Sequence, residues 1–235
     1  MFMKKVIFLP LCLILVFSSC KKQGCTDPNA NNYNSSANED NGNCAYSLMD
    51  IEGNSYGAKK IGNQIWMTEN LKVKKYRNGD IIPQVQDSLQ WSQLTTGAWC
   101  YYENDPSKGI LYNWFAVNDP RGLAPSGYHV PTDAEWTILS DYLGGEEVAG
   151  KPMKSTSGWN QNGNGTNTSG FSGLPSGCRN YDGAFNGIVL LGSWWSSTEH
   201  PINFAWIRNL QYCCDNLYTT WGNKGMGFSV RCLKD

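Results

Sequence analysis

The chain has 235 residues, with 19 Lys plus Arg against 20 Asp plus Glu and a formal net charge of −1. No basic tract runs through it, which argues against a nucleic-acid partner, and its length suits one good-sized domain with a short appendage. Gly (25), Tyr (12) and Trp (10) are abundant and helix formers scarce, a composition of short strands and long loops held by aromatic side chains.

Residues 1–19 have a basic start (Lys4, Lys5), an apolar run from Val6 to Phe17, and Ser18 and Ser19 before Cys20. This is the layout of a secretory signal peptide, too short and too soon polar for a spanning helix. Small residues followed by Cys resemble a bacterial lipoprotein signal. That resemblance implies cleavage before Cys20, lipidation of Cys20, and anchoring to the membrane, here the bacterial outer membrane, without a transmembrane segment. The periplasmic and surface faces both stay open, because "CKKQG" lacks the acidic run that Bacteroidetes lipoproteins often carry for outward export. Cleavage would remove Lys4 and Lys5 from the 19 basic residues and none of the 20 acidic ones, so the net charge would move from −1 to −3.

Residues 20–46 are Asn-rich and nearly without aliphatic side chains, so they cannot build a core. Cys25 and Cys44 bracket the segment, and an exported chain favours their pairing. The disulfide would stabilise the loop by about 3 kcal/mol. The pattern resembles a small Cys-bracketed module found beside the anchors of exported Bacteroidetes proteins. Asp27, Asn29 and Asp40 are candidate calcium ligands, but EF-hand spacing and its terminal Glu are missing. A stapled spacer is the preferred reading.

From residue 47 to 235 the pattern predicts one α+β domain. Two strand-like runs in "NSYGAKKIGNQIWMTENL" meet at Gly62-Asn63, a two-residue hairpin turn. "GAWCYYEND" reads as an aromatic strand, and "GILYNWFAVND" places Leu111, Trp114 and Phe115 on one helical face. Thr132 and Glu135 make a capping box, with Asp133 at the positive helix end. Trp136, Leu139 and Leu143 follow at helical spacing before Gly144-Gly145 stops the helix. Residues 151–193 are mostly loop, followed by the strand-like "WWSSTE", "NFAWIRNLQY" and "GFSVRCLKD".

The two histidines and seven cysteines beyond Cys12 and Cys20 show no CxxC or paired metal spacing, which argues against structural zinc. His129 reads as a strand-to-helix fixture held by hydrogen bonds, and His200 as an exposed turn residue. No nucleophile-elbow pattern surrounds Ser196, Ser197 and Thr198, so no catalytic residue is assigned. Arg179, Tyr181, Trp194, Trp195, Trp206 and Trp221 lie near polar loops. Aromatic faces rimmed by amides suit a sugar's apolar face and hydroxyl edge. They are the candidate ligand contacts, set against the plainer reading that such aromatics, Trp159 among them, fill the core.

"IGNQIWMTENL", "GAWCYYENDP", "GILYNWFAVND", "GYHVPTDAEW", "LPSGCRNYDGAF", "WWSSTE" and "GFSVRCLKD" occur in the order of the Fibrobacter succinogenes major paralogous domain family, which the chain resembles over nearly all of residues 48–235. More distantly, "HVPTDAEW" and "GFSVRC" resemble segments of formylglycine-generating, sulfatase-modifying proteins. The resemblance implies a C-type-lectin-like fold, with two helices flanking irregular antiparallel sheets, long loops and close termini. "EHPIN" and "NWFAVND" only approximate the calcium-dependent sugar motifs of C-type lectins. Cys100 and Cys232 lie in family motifs, which implies their pairing; Cys178 would then pair with Cys213 or Cys214. Formylglycine-generating enzymes hold copper with two cysteines, so a copper-dependent oxidase is the alternative function. Against it, adjacent side chains on a strand point to opposite faces, which would separate Cys213 from Cys214. The expected role is non-catalytic: binding of a glycan or another envelope protein, or a structural role, without a required cofactor.

Overall fold

The computed structural model describes residues 21–235; the expected signal peptide and Cys20 lie outside them. The chain divides into one unit ending at Cys44 and a second from Ala45 to Asp235, against an expected boundary after residue 46. No helix among the described residues is long and apolar enough to cross a membrane.

In the first unit, β1 (Gln23–Gly24) pairs in parallel with β2 (Glu39–Asp40), and a disulfide joins Cys25 to Cys44. Short side chains bind the backbone two residues on, replacing a core with local turns. Asp27 Oδ1 accepts from Asn29 N at 2.9 Å, and Asp40 Oδ1 accepts from Gly42 N at 3.0 Å.

The second unit is α+β, mostly sheet with few and short helices. Its elements in chain order are β3 (Tyr46–Met49), β4 (Ser55–Ile61), β5 (Gln64–Met67), α1 (Ser88–Ser92), β6 (Trp99–Tyr101), β7 (Ile110–Tyr112), α2 (Trp114–Val117) and β8 (Tyr128–His129). There follow α3 (Asp133–Tyr142), α4 (Gly150–Met153), β9 (Ser176–Arg179), β10 (Phe185–Ile188), β11 (Leu191–His200), β12 (Phe204–Gln211), β13 (Leu217–Asn223) and β14 (Leu233–Lys234). One five-stranded sheet has the order β3-β4-β5-β14-β8, another the order β10-β9-β11-β12-β13, and β6 pairs with β7.

The hairpin forms where predicted: Ile61 pairs with Gln64 across Gly62-Asn63, and Gly62 takes a φ of 62°, which its missing Cβ allows. The capping box of α3 also forms. The Thr132 hydroxyl accepts from Glu135 N, and the Glu135 carboxylate accepts from Thr132 N at 2.7 Å. By contrast, the helix expected through "GILYNWFAVND" shrinks to the four residues of α2, with Leu111 in β7. Asn113 causes the change: its Oδ1 caps α2 by accepting from Ala116 N, and also accepts from Ala98 N. Among the described residues only α3 reaches ten residues, so the expected pair of helices becomes one longer helix and three short ones there.

Trp136 of α3 packs on Trp66 of β5, with ring centroids 4.7 Å apart, and on Phe171, which in turn meets Trp194 of β11. This cluster joins the two sheets. At its edge the buried Arg231 guanidinium donates to Met67 O, Asn70 Oδ1 and Phe171 O. Asn70 Oδ1 also accepts from Trp194 Nε1, and its amide nitrogen donates to Ser229 and Ser176. Burial pushes the Arg231 pKa down to about 9, which still leaves it protonated at neutral pH. Arg208 does similar work for α3, donating to the Asp133 carboxylate at 2.6 Å and to Thr137 Oγ1.

His129 sits on β8 opposite Leu233 of β14. One ring nitrogen meets Asp235 Oδ1 at 2.7 Å and the other meets Glu135 Oε1 at 2.9 Å. The imidazole therefore latches the C-terminus to the cap of α3. Burial works against its protonation, but the Asp235 and Glu135 carboxylates outweigh that and raise its pKa above 6.5.

A raised histidine pKa stabilises the fold fully below the unfolded value of about 6.5 and ceases to do so as pH rises through the folded value. Thermal melts of His129→Gln should therefore show the largest deficit near pH 6, and a shrinking one toward alkaline pH. Solvent screening limits the effect to about 1 kcal/mol, or roughly 2–4 °C; a pH-independent deficit would refute the latch. Arg231→Lys should lose about 2 kcal/mol in urea unfolding, because an ammonium cannot span acceptors that the guanidinium fork satisfies.

Candidate functional site

Alternation along β12 sorts its side chains onto two faces. Ala205 and Ile207 lie on the face that also holds Trp195 and Gly222, and this face is buried around Phe228. Phe204, Trp206 and Arg208 lie on the other. α3 covers that second face at Arg208, but toward His200 the face opens to solvent.

At the open end four rings meet. Trp206 and Trp221 are directly paired across β12 and β13. His200 stacks on Trp221 at 5.6 Å and 20°, and meets Trp206 edge-on at 4.8 Å. Phe204 meets Trp221 edge-on at 4.7 Å. Trp221 remains 50% exposed. A shallow cleft of about 220 Å³ adjoins this end, lined by Tyr181, Asn203, Asn223 and Lys224 among others; Asn223 lies opposite Phe204. The Lys224 ammonium pairs with Glu199 and lies 4.8 Å above the Trp114 ring, which fixes the positive charge at the cleft. The arrangement offers exposed aromatic faces with the Asn223 amide on the same face of the sheet, while the Lys224 ammonium is spent on Glu199.

Of the six sequence candidates, Tyr181 (61% exposed) and Trp221 reach solvent, and Trp206, beside Trp221, is half-buried. Arg179, Trp194 and Trp195 are corrected to core residues, all fully buried. The Arg179 guanidinium donates to the carbonyls of Gly183, Val85 and Gln86, and lies over the Trp91 ring. Trp194 Nε1 is spent on Asn70, and Trp195 Nε1 on Tyr112 O at 2.7 Å. Trp159 is core as well. The residues missed were His200 and Phe204. The alternation "NFAWIR" was a usable signal, since it places Phe204 on the same face as Trp206.

The disulfides expected in this unit are also corrected: Cys100, Cys178, Cys213, Cys214 and Cys232 are all free thiols. Cys100 packs with Trp91, Tyr102 and Leu111, whereas Cys232 lies beside Arg231 with its carbonyl bonded to Met67 N. Burial raises Cys100 and Cys178 to about 11 and Cys232 to about 12, leaving them unreactive thiols. Cys213 and Cys214 fall not on a strand but in the turn after β12, where their sulfurs approach to 3.5 Å. The expected separation onto opposite faces therefore does not occur. In the first unit, Asp27 and Asp40 cap local turns; among the described residues no three His, Cys, Asp or Glu side chains group as a metal site.

A sheet-rich α+β domain with an aromatic surface at one sheet end is the class this geometry defines. The chain belongs to the Fibrobacter succinogenes major domain family, matched over residues 60–234. No curated protein and no solved structure matches it.

The two kinds of tryptophan separate in experiment. Trp194→Ala should cost about 3–5 kcal/mol of stability, while Trp221→Ala should stay within about 0.5 kcal/mol of the parent, both measured by urea unfolding.

Proposed function

We propose that this chain is a lipid-anchored protein of the bacterial outer membrane, attached through Cys20, whose second unit binds glycan without catalysing a reaction. The observation that carries this reading is the exposed Trp221, stacked with His200 and met edge-on by Phe204, with Asn223 opposite Phe204 on the neighbouring strand. An aromatic face lies flat against the apolar face of a pyranose, and neighbouring amides bond its hydroxyl edge. Residues 21–44 act as a disulfide-stapled spacer between lipid and domain.

A C-type-lectin-like fold is the finer architecture we favour. Support comes from β14, which joins the sheet begun by β3, β4 and β5 and so brings the ends of the domain together as that fold requires. A copper-dependent oxidase is the second reading, favoured by the sulfur approach of Cys213 and Cys214. That pair offers two soft ligands, with no third one grouped beside it among the described residues, so recognition ranks ahead. Copper(I) titration with thiol counting separates the two readings.

A glycan array probed with the second unit tests the proposal, with a pull-down from envelope extract alongside. Bound glycans should be lost by at least about tenfold in Trp221→Ala, a deficit of 1.4 kcal/mol or more and within reach of one stacking contact. A protein partner without array hits would move the reading to protein recognition; silence in both would leave a structural role.

A further inference from the structure

The turn carrying Cys213 and Cys214 forms one wall of a second cleft, of about 460 Å³, lined also by Lys151, Lys154, Asn164 and Asp215. Cys213 is exposed and Cys214 half-exposed, with their sulfurs 3.5 Å apart. Tyr218 OH lies 3.3 Å from the Cys214 sulfur. Beneath them Lys154 is almost fully buried, yet its ammonium donates to Cys214 O at 2.8 Å and to Gln211 O at 3.2 Å, with Asp215 Oδ1 at 3.8 Å. A buried cation held partly by a cysteine carbonyl lies under this accessible pair of thiols, but the hydrogen bond from Cys214 and burial outweigh it and hold the Cys213 thiol above its ordinary pKa. Exchange therefore runs through a minor thiolate fraction, brought within reach of its partner sulfur by the 3.5 Å approach.

We infer that Cys213 and Cys214 form a reversible dithiol–disulfide site that exchanges with low-molecular-weight disulfides. The Cys213 thiolate attacks one sulfur of the small disulfide, forming a mixed disulfide and releasing one small thiolate, which takes up a proton. The Cys214 thiolate then attacks the Cys213 sulfur of that mixed disulfide, releasing the second small thiol. Two electrons and two protons pass from the cysteine pair to the small disulfide, which leaves as two thiols.

The ring that results is strained. Consecutive Cα atoms stand about 3.8 Å apart across a trans peptide, below the roughly 4.4–6.8 Å usual for bridged cysteines. Strain makes the bond easier to reduce, so the site cycles instead of locking. Closing the ring also reorients the Cys213–Cys214 peptide, which adjoins the Cys214 carbonyl that holds Lys154. Oxidation therefore acts on the floor of the cleft. The buried Cys100, Cys178 and Cys232 provide an internal reference within the same chain.

The test equilibrates the reduced full chain in mixtures of oxidised and reduced glutathione, quenches with acid, alkylates, and maps peptides by mass. The wild type should show the 213–214 peptide two hydrogens lighter without retained glutathione, reverting in excess reduced glutathione, while Cys100, Cys178 and Cys232 stay reduced. In Cys214→Ser the resolving sulfur is gone, so glutathione retained on Cys213 should rise about tenfold or more over wild type. Persistent glutathione on wild-type Cys213, pairing of either residue with another cysteine, or no reaction at either would each overturn the inference.

Discussion

The structure depends on one buried polar node. Arg231 lies near the end of the chain, yet its guanidinium reaches carbonyls of residues 67 and 171 and the Asn70 side chain. A buried guanidinium with unmet donors would be strongly destabilising. The loops around it must therefore supply carbonyls at the fork's own geometry. Because Asn70 also holds Trp194, Ser176 and Ser229, the same node ties the sheet of β5 and β14 to the sheet of β9 and β11. Long segments without regular structure can be ordered in this way without long helices.

Arg208 and Arg179 repeat the device elsewhere. Arg208 clamps the first turn of α3 onto β12, and Arg179 draws the 85–86 segment and the 183 turn around Trp91. The functional consequence follows from where the first of these clamps stops. α3 is short and is pinned over Arg208, so the face of β12 and β13 beyond it stays bare. His200, Phe204, Trp206 and Trp221 occupy that uncovered end, and they pack on each other in place of a helix.

Local signals were legible where a few neighbouring residues suffice. The Gly62-Asn63 hairpin and the Thr132–Glu135 box depend on hydrogen bonds and dihedral preferences spanning four residues, and both formed as read. The Cys25–Cys44 pair was legible because a segment without a core has little else to close it. "GILYNWFAVND" misled because the helical spacing of Leu111, Trp114 and Phe115 cannot report that Asn113 bonds the distant Ala98 amide. The separation expected of Cys213 and Cys214 rested on strand geometry, and the chain turns there instead.

The amino-acid sequence by itself determined the family, the α+β character, the capped helix and the Cys25–Cys44 staple, since each is written in contiguous residues or in their order. Which aromatic side chains face solvent was decided only by tertiary structure. Trp194, Trp195, Trp206 and Trp221 share a residue type and a strand context. They part company because α3, Phe228 and Asn70 cover some of them, whereas Trp221, met only by His200 and Phe204 among the ring contacts described, stays half-exposed. Burial is set by what lies across the sheet, and that partner is brought in from distant parts of the chain.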